Sequence, residues 1–344
     1  SGGGGVYCSF IDSSRGGDMM FNVPIIIDNC EFYLCSSSQS GGAILSGYIN
    51  IWAPDKTISN GDIVINDCQF RSCEAVDGGC IYSYDGEESS DEETNITNCI
   101  FEECKASGSG SCIYSKSYRF SLENSIFRNI ASDSKSIIYL LMNEKVNSTI
   151  YNCTFDNNGN NKFDTTLYGT LILRDCVFRT SATSNLIDFS KMNSKGTISG
   201  NIFDNCTFEY CEKTALEPTD YNNTFIGCNI QHNWRKSGSY PGGLYVNRDM
   251  YGCYFTFTDC IFLNNTSQNK AGAAYINTEN VLSMDGCKFI NNTVSGNGDR
   301  CLGGGLHIEQ IRVKITFVLR GCYFERNIAS SGGGGVYCSF IDSS

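Results

Sequence analysis

Proline is nearly absent from this chain, with four residues in 344, and histidine and tryptophan appear twice each. Scarce proline beside 36 glycines suits many short strands joined by tight bends. No apolar run approaches the roughly 18 residues that a membrane-spanning helix requires, so no membrane contact is expected in this segment. Basic charge is also short, 25 Lys and Arg against 37 Asp and Glu for a net charge of −12. That balance excludes the basic stripe of a nucleic-acid binder. His232 and His307 are solitary and far apart, and such residues read as surface or hydrogen-bonded groups rather than catalysts. There is no initiator Met, signal segment or polar cap, which reads as an excerpt from something longer.

What is present is repetition. Residues 1–14, SGGGGVYCSFIDSS, recur unchanged as residues 331–344. Chance does not produce that match, so the chain reads as one 330-residue period plus an overlap. Inside it runs a shorter period. A cysteine slot, usually Cys-x-Phe, recurs at Cys30, Cys68, Cys99, Cys153, Cys176, Cys206, Cys228, Cys260, Cys287 and Cys322, and Ser125 fills it once. The steps run from 22 to 38 residues, giving eleven units per period. Residues 1–344 are therefore expected to form one continuous solenoid.

Two residues after the slot stand Phe32, Phe70, Phe101, Phe127, Phe155, Phe178, Phe208, Phe262, Phe289 and Phe324, with Ile230 the exception. An i, i+2 pair points both side chains to one face of a strand. Three residues before the slot every unit is apolar, from Ile27 to Leu319. A separation of three breaks the strand period, so the chain must bend between them. The residue just before the slot is always Asn, Asp or Gly, the types that tolerate a left-handed backbone. A second corner is marked by Asn158, Asn233, Asn265, Asn292 and Asn327. Small-residue stretches such as Gly41-Gly42-Ala43-Ile44, Gly78-Gly79-Cys80-Ile81 and Gly304-Gly305-Leu306-His307 then lead into another strand, with insertions such as residues 51–62 and 85–93 after it. Three short strands and two fixed corners per unit describe a right-handed parallel β-helix, an all-β solenoid of about eleven coils per period. Its axial repeat would be about 53 Å from strand spacing.

The Gly-Gly-Ala-Ile stretch at 41–44, with Phe-x-x-Asn at 155–158, 262–265, 289–292 and 324–327, resembles the paired tetrapeptides of chlamydial polymorphic outer-membrane proteins. Similar repeats occur in large protist surface proteins. The resemblance implies a surface-exposed β-helical passenger, many of which act as adhesins. This chain differs in showing no membrane-anchoring barrel and in its stricter long-range identity.

Twenty cysteines, one of them a duplicate because Cys8 and Cys338 are the same position, leave 19 per period. An odd number leaves at least one thiol free or paired outside the unit. The slot cysteines read as small buried hydrophobes beside phenylalanine. Cys-x-x-x-x-Cys at 30–35, 68–73, 99–104 and 206–211 lacks the spacing of a zinc site, so no metal or cofactor is expected. Disulfides would have to join neighbouring coils, and the expected pairs are Cys73 with Cys104 and Cys80 with Cys112. Sequons stand at Asn95, Asn147, Asn152, Asn205, Asn222, Asn264, Asn265 and Asn291, which permits a secretory route.

Enzymatic chemistry finds little support. Asp67, Asp175 and Asp259 would lie about 14–19 Å apart along the axis, too far for paired carboxylates. The acidic run from Glu87 to Glu93 reads as a solvated loop, with calcium binding the lesser reading. Trp52 and Trp234 are single and read as packing residues more than sugar contacts. The favoured expectation is a structural protein outside the cell, a filament or fibre whose partners are further copies of itself, end to end. An adhesin binding glycans or cell-surface proteins through its insertions is the alternative. A carbohydrate-active enzyme is the third.

Overall fold

The computed structural model describes residues 4–11, 24–49, 61–84, 92–130, 136–142, 146–156, 163–166, 170–179, 187–188, 201–212, 214–217, 222–235, 240–246, 254–277, 281–296, 301–311 and 317–341. Among them every regular element is a strand and every named pairing is parallel. The chain divides into two compact units, Ser1–Leu171 with Lys191–Thr197, and Ile172–Ser190 with Ile198–Ser344.

In the first unit each coil has a wall before the left-handed bend and a wall after it. Strands Ile25–Asp28, Ile63–Asn66, Glu93–Thr97, Arg119–Glu123 and Ser148–Tyr151 stack as the first wall. Glu31–Tyr33, Gln69–Arg71, Ile100–Glu102, Ile126–Arg128 and Thr154–Asp156 stack as the second. A third wall runs from Val6–Ile11 through Ile44–Ile49, Ile81–Tyr84, Ile113–Ser117 and Ile138–Met142 to Phe163–Thr166. The second unit repeats the scheme, for example in Asn223–Ile226, Asn229–Gln231 and Leu244–Val246. It adds a four-stranded ladder after the second corner, Trp234–Arg235, Thr266–Ser267, Thr293–Val294 and Ile328–Ala329. Among the described residues the first unit has there the pair Glu74–Ala75 and Lys105–Ala106, with a bridge from Ser36 to Glu74. These short strands were not distinguished in the sequence.

The bend is where expected. Asn29, Asp67, Asn98, Asn124, Asn152, Asp175, Asn205, Gly227, Asp259, Gly286 and Gly321 all have positive φ. Because the bend keeps both flanking segments facing inward, like residues meet like in register. Phe32, Phe70, Phe101, Phe127 and Phe155 are paired strand to strand, with ring centroids 4.5–5.0 Å apart. In the second unit Phe262, Phe289 and Phe324 continue the pattern at 4.6 and 4.8 Å. A stack of Phe203, Phe225 and Phe257 lines its first wall. The spacing equals that of parallel strands, so backbone pairing and ring contact are satisfied together.

A second left-handed position was not legible. Four residues past the slot, Leu34, Ser72, Glu103, Asn129, Tyr210, His232, Asn264, Asn291 and Arg326 also have positive φ. For Leu or Tyr this backbone costs about 1–2 kcal/mol, and the in-register lattice imposes it. A third turn uses Gly41, Gly78, Gly110, Gly303 and Gly333 at φ between 59° and 69°. The glycine after Gly303 is demanded by close approach: a Cβ on Gly304 would lie 2.5 Å from both Gly334 O and Ile328 O.

The second corner of the second unit carries an amide ladder. Asn233, Asn265 and Asn292 are fully buried. Each side chain donates to a carbonyl of the preceding coil, Asn233 to Phe208 at 3.0 Å, Asn265 to Ile230 at 2.7 Å and Asn292 to Phe262 at 2.8 Å. Each Oδ1 accepts from that coil's corner, as Asn292 does from Asn265 N at 2.9 Å and from Asn265 Nδ2 at 3.0 Å. The sequon at Asn265 is therefore not an acceptor site in the folded chain, because its amide is committed inside. Asn158 lies outside the described residues.

Two stability measurements test this account. Leu34 is 62% exposed, so Leu34→Asn relieves its strain without losing packing and should stabilise the chain by about 1 kcal/mol in urea unfolding. Asn292→Ala orphans three buried partners and should cost roughly 2–5 kcal/mol. A neutral Asn292→Ala would remove the ladder from the list of stabilising features.

Candidate functional site

The cysteine slot is a structural device. Its thiols donate to the carbonyl two residues back and to one in the preceding coil: Cys228 to Ile226 O at 3.5 Å and Phe203 O at 3.3 Å, Cys260 to Thr258 O at 3.4 Å and Phe225 O at 3.5 Å. Cys68, Cys99 and Cys206 repeat the pattern. Ser125 substitutes by donating to Glu123 O at 2.8 Å and accepting from Cys99 N at 3.1 Å. Cys68, Cys99, Cys153, Cys176, Cys206, Cys228, Cys260 and Cys287 are buried as expected, while Cys30 and Cys322, in outer coils, are partly exposed. A small buried donor is needed at the bend, and thiol and hydroxyl both serve.

The expected disulfides are corrected. The structure joins Cys80 to Cys104, with Cα atoms 6.4 Å apart, and leaves Cys73 and Cys112 as thiols. The second-corner side chain leans back one coil: Cys73 Sγ donates to Phe32 O at 3.6 Å, and Cys104 Sγ lies 3.6 Å from Phe70 O. Cys104 thus comes level with Cys80 across the interior, whereas the same lean brings Cys73 level with Ala43. The corner residue of the following coil, Ile130, has no thiol to offer Cys112. Stacked equivalents project in parallel and do not converge, which a disulfide requires. The sulfur atoms of Cys80, Cys104 and Cys112 lie within 4.8 Å of one another, and all three residues are 0% exposed. Burial pushes the Cys73 thiol up to about 11 and raises Cys112 strongly. No local spacing signals this cluster, since its members come from two coils.

On the third wall of the second unit, polar groups gather unexpectedly. Tyr275 donates to Glu309 Oε2 at 2.6 Å, and Lys270 Nζ donates to Tyr275 Oη at 2.6 Å. His307 Nε2 stands 4.0 Å from Glu309 Oε2. His307 is 3% exposed, and neither ring nitrogen has a hydrogen-bond partner. It was expected at the surface or hydrogen-bonded; instead it is wedged edge-on between Tyr275 and Tyr337, with 5.0 Å between ring centres on both sides. His232 fits the expectation, stacked on Tyr210 with Nδ1 3.4 Å from Asn264 Nδ2.

Other expectations divide. Glu92 in the acidic run is buried and accepts from Gly61 N at 2.7 Å, so it is no solvated group. Glu93 pairs with Arg119, and residues 85–91 lie outside the described set. Trp234 is 44% exposed, and Trp52 lies outside the described residues. Asp67 and Asp175 hold Asn98 and Asn205 of adjacent coils through Oδ1, at 3.2 and 2.5 Å.

The strand Val6–Ile11 and the strand Val336–Ile341 share the sequence VYCSFI. Val6–Ile11 pairs in parallel with Ile44–Ile49, Val6 opposite Ile44 and Cys8 opposite Ser46. Val336–Ile341 pairs in parallel with Leu306–Ile311, Val336 opposite Leu306 and Cys338 opposite Ile308. One six-residue sequence is thus seen bonded through each of its two edges.

Burial lowers the His307 pKa to about 4, with Glu309 opposing and Lys270 reinforcing the shift. The unfolded chain then takes up this proton near pH 6.5 while the folded chain refuses it. Stability is full above pH 6.5 and falls as the pH drops towards 4. Thermal melts of His307→Phe should show a shallower decline over that window than the parent.

Residues 140–339 match the family model described as a right handed beta helix region. No curated protein and no solved structure matches the chain.

Proposed function

The chain belongs to the family of right-handed β-helix regions, and from that premise we propose that it is a structural protein, one period of a solenoid that continues from copy to copy. The observation that carries this reading is the strand VYCSFI. It accepts Leu306–Ile311 along one edge and Ile44–Ile49 along the other, parallel in both cases, with its first residue aligned to the first of each partner. A single strand carrying both pairings would seat the end of one period against the start of the next without a break in register. Unpaired strand edges template such addition.

A place outside the cell fits the seven sequon asparagines other than Asn265, all exposed at least in part. It also fits the tetrapeptide resemblance to bacterial and protist surface proteins. Contact with glycans or cell-surface proteins through the insertions belongs to the same reading, and would make the fibre adhesive.

Cys338 supplies the test. It is exposed here, whereas its lattice partners Ile308 and Ser46 are 5% and 1% exposed. In a two-period chain, residues 1–330 followed by 1–344, the junction copy of this cysteine should alkylate at least about tenfold more slowly than the terminal copy under native conditions. Equal rates at the two positions would defeat the proposal. Sedimentation of the single-period chain then separates its two forms: concentration-dependent growth means subunits adding end to end, and a constant monomer means covalent repeats.

A further inference from the structure

The interior of the first unit holds three cysteines that the bend-and-stack lattice does not need. Cys80 and Cys112 occupy the position that is Ala43 in the preceding coil, and Cys104 sits at the corner that Ile130 fills in the next. A small apolar residue therefore suffices at one position and a larger one at the other. Their sulfur atoms nonetheless converge within 4.8 Å, in a fully buried space. Thiolates around a tetrahedral zinc-class ion, at about 2.3 Å from it, stand roughly 3.8 Å apart. The observed sulfur atoms would need only side-chain rotation to take up that separation.

We propose that, once a low-molecular-weight dithiol has reduced the Cys80–Cys104 bridge to two S–H groups and itself closed to a cyclic disulfide, Cys80, Cys104 and Cys112 hold one thiophilic divalent cation of the zinc class. Binding exchanges three S–H protons for one M²⁺ and leaves a net charge of −1. No Lys or Arg is found among the described buried residues, so a monovalent ion, leaving −2, is penalised more heavily. Soft sulfur ligands select against calcium and magnesium. Because the cluster is sealed, the ion enters as the coils close and its binding is coupled to folding. Cys73, directly beneath the cluster in sequence order but leaning to the preceding coil, is outside the ligand set.

The full chain, reduced and unfolded without oxygen, is refolded with Co²⁺ or Zn²⁺ as the probe and passed through a desalting column. The expected result is one ion per chain, with thiolate-to-cobalt charge-transfer absorption and, for zinc, about three sulfurs at about 2.3 Å in the X-ray absorption fine structure. Cys112→Ser should weaken retention at least about tenfold, while Cys68→Ser, in the slot ladder, should retain the ion as the parent does. A metal-free refolded parent, equal retention by Cys112→Ser, or oxygen-dominated coordination of the retained zinc would overturn the proposal. The coordination measurement on the parent chain stands even where Cys112→Ser fails to fold.

Discussion

Everything in this fold depends on the left-handed residue before the cysteine slot. A strand alternates its faces with every residue, so a straight chain could not send both the residue three before the slot and the phenylalanine two after it into one interior. A single positive φ, from Asn29 to Gly321, resolves the conflict and turns the corner at once. Once coils close this way, neighbouring units have no register left to choose. Phenyl rings stack because their backbones pair, and thiols find carbonyls because the bend presents them. Each coil inherits its geometry from the one before, as expected of a quasi-one-dimensional structure.

That dependence explains what was legible. The first bend could be read because its chemistry is restricted: only Asn, Asp and Gly stand there, and each has an intrinsic tolerance for the conformation. The bend four residues past the slot is equally left-handed, yet Leu34, Tyr210 and Arg326 occupy it. There the lattice overrides local preference, and no composition signal survives. The close-approach glycines were legible for the opposite reason, since a Cβ has nowhere to go.

Side-chain direction was the part that escaped. Position in the repeat predicts which residues stack, but not that the second-corner side chain leans towards the preceding coil. The lean turns Cys104 to Cys80 and away from Cys73. It also commits Asn265 to the interior although its sequence reads as a glycan acceptor. The buried surroundings of His307 were hidden similarly, because residues alternating outward from the third wall are normally wet. Here Tyr245, Ala271 and Tyr275 form a second, smaller packed cluster, with His307 edge-on to Tyr275.

The second corner uses two chemistries for one task. In the first unit the Cys73 thiol holds a carbonyl of the coil before and the Cys104 sulfur leans against another; in the second unit Asn233, Asn265, Asn292 and Asn327 amides hold theirs. These two sets of corners must therefore age differently. Peroxide damage is addressed to the sulfur-held corners, whereas slow deamidation, which would place a carboxylate where an amide donor stood, is addressed to the nitrogen-held ones. The second corners of the two units would then fail to different insults, although the slot thiols at the first bend are common to both.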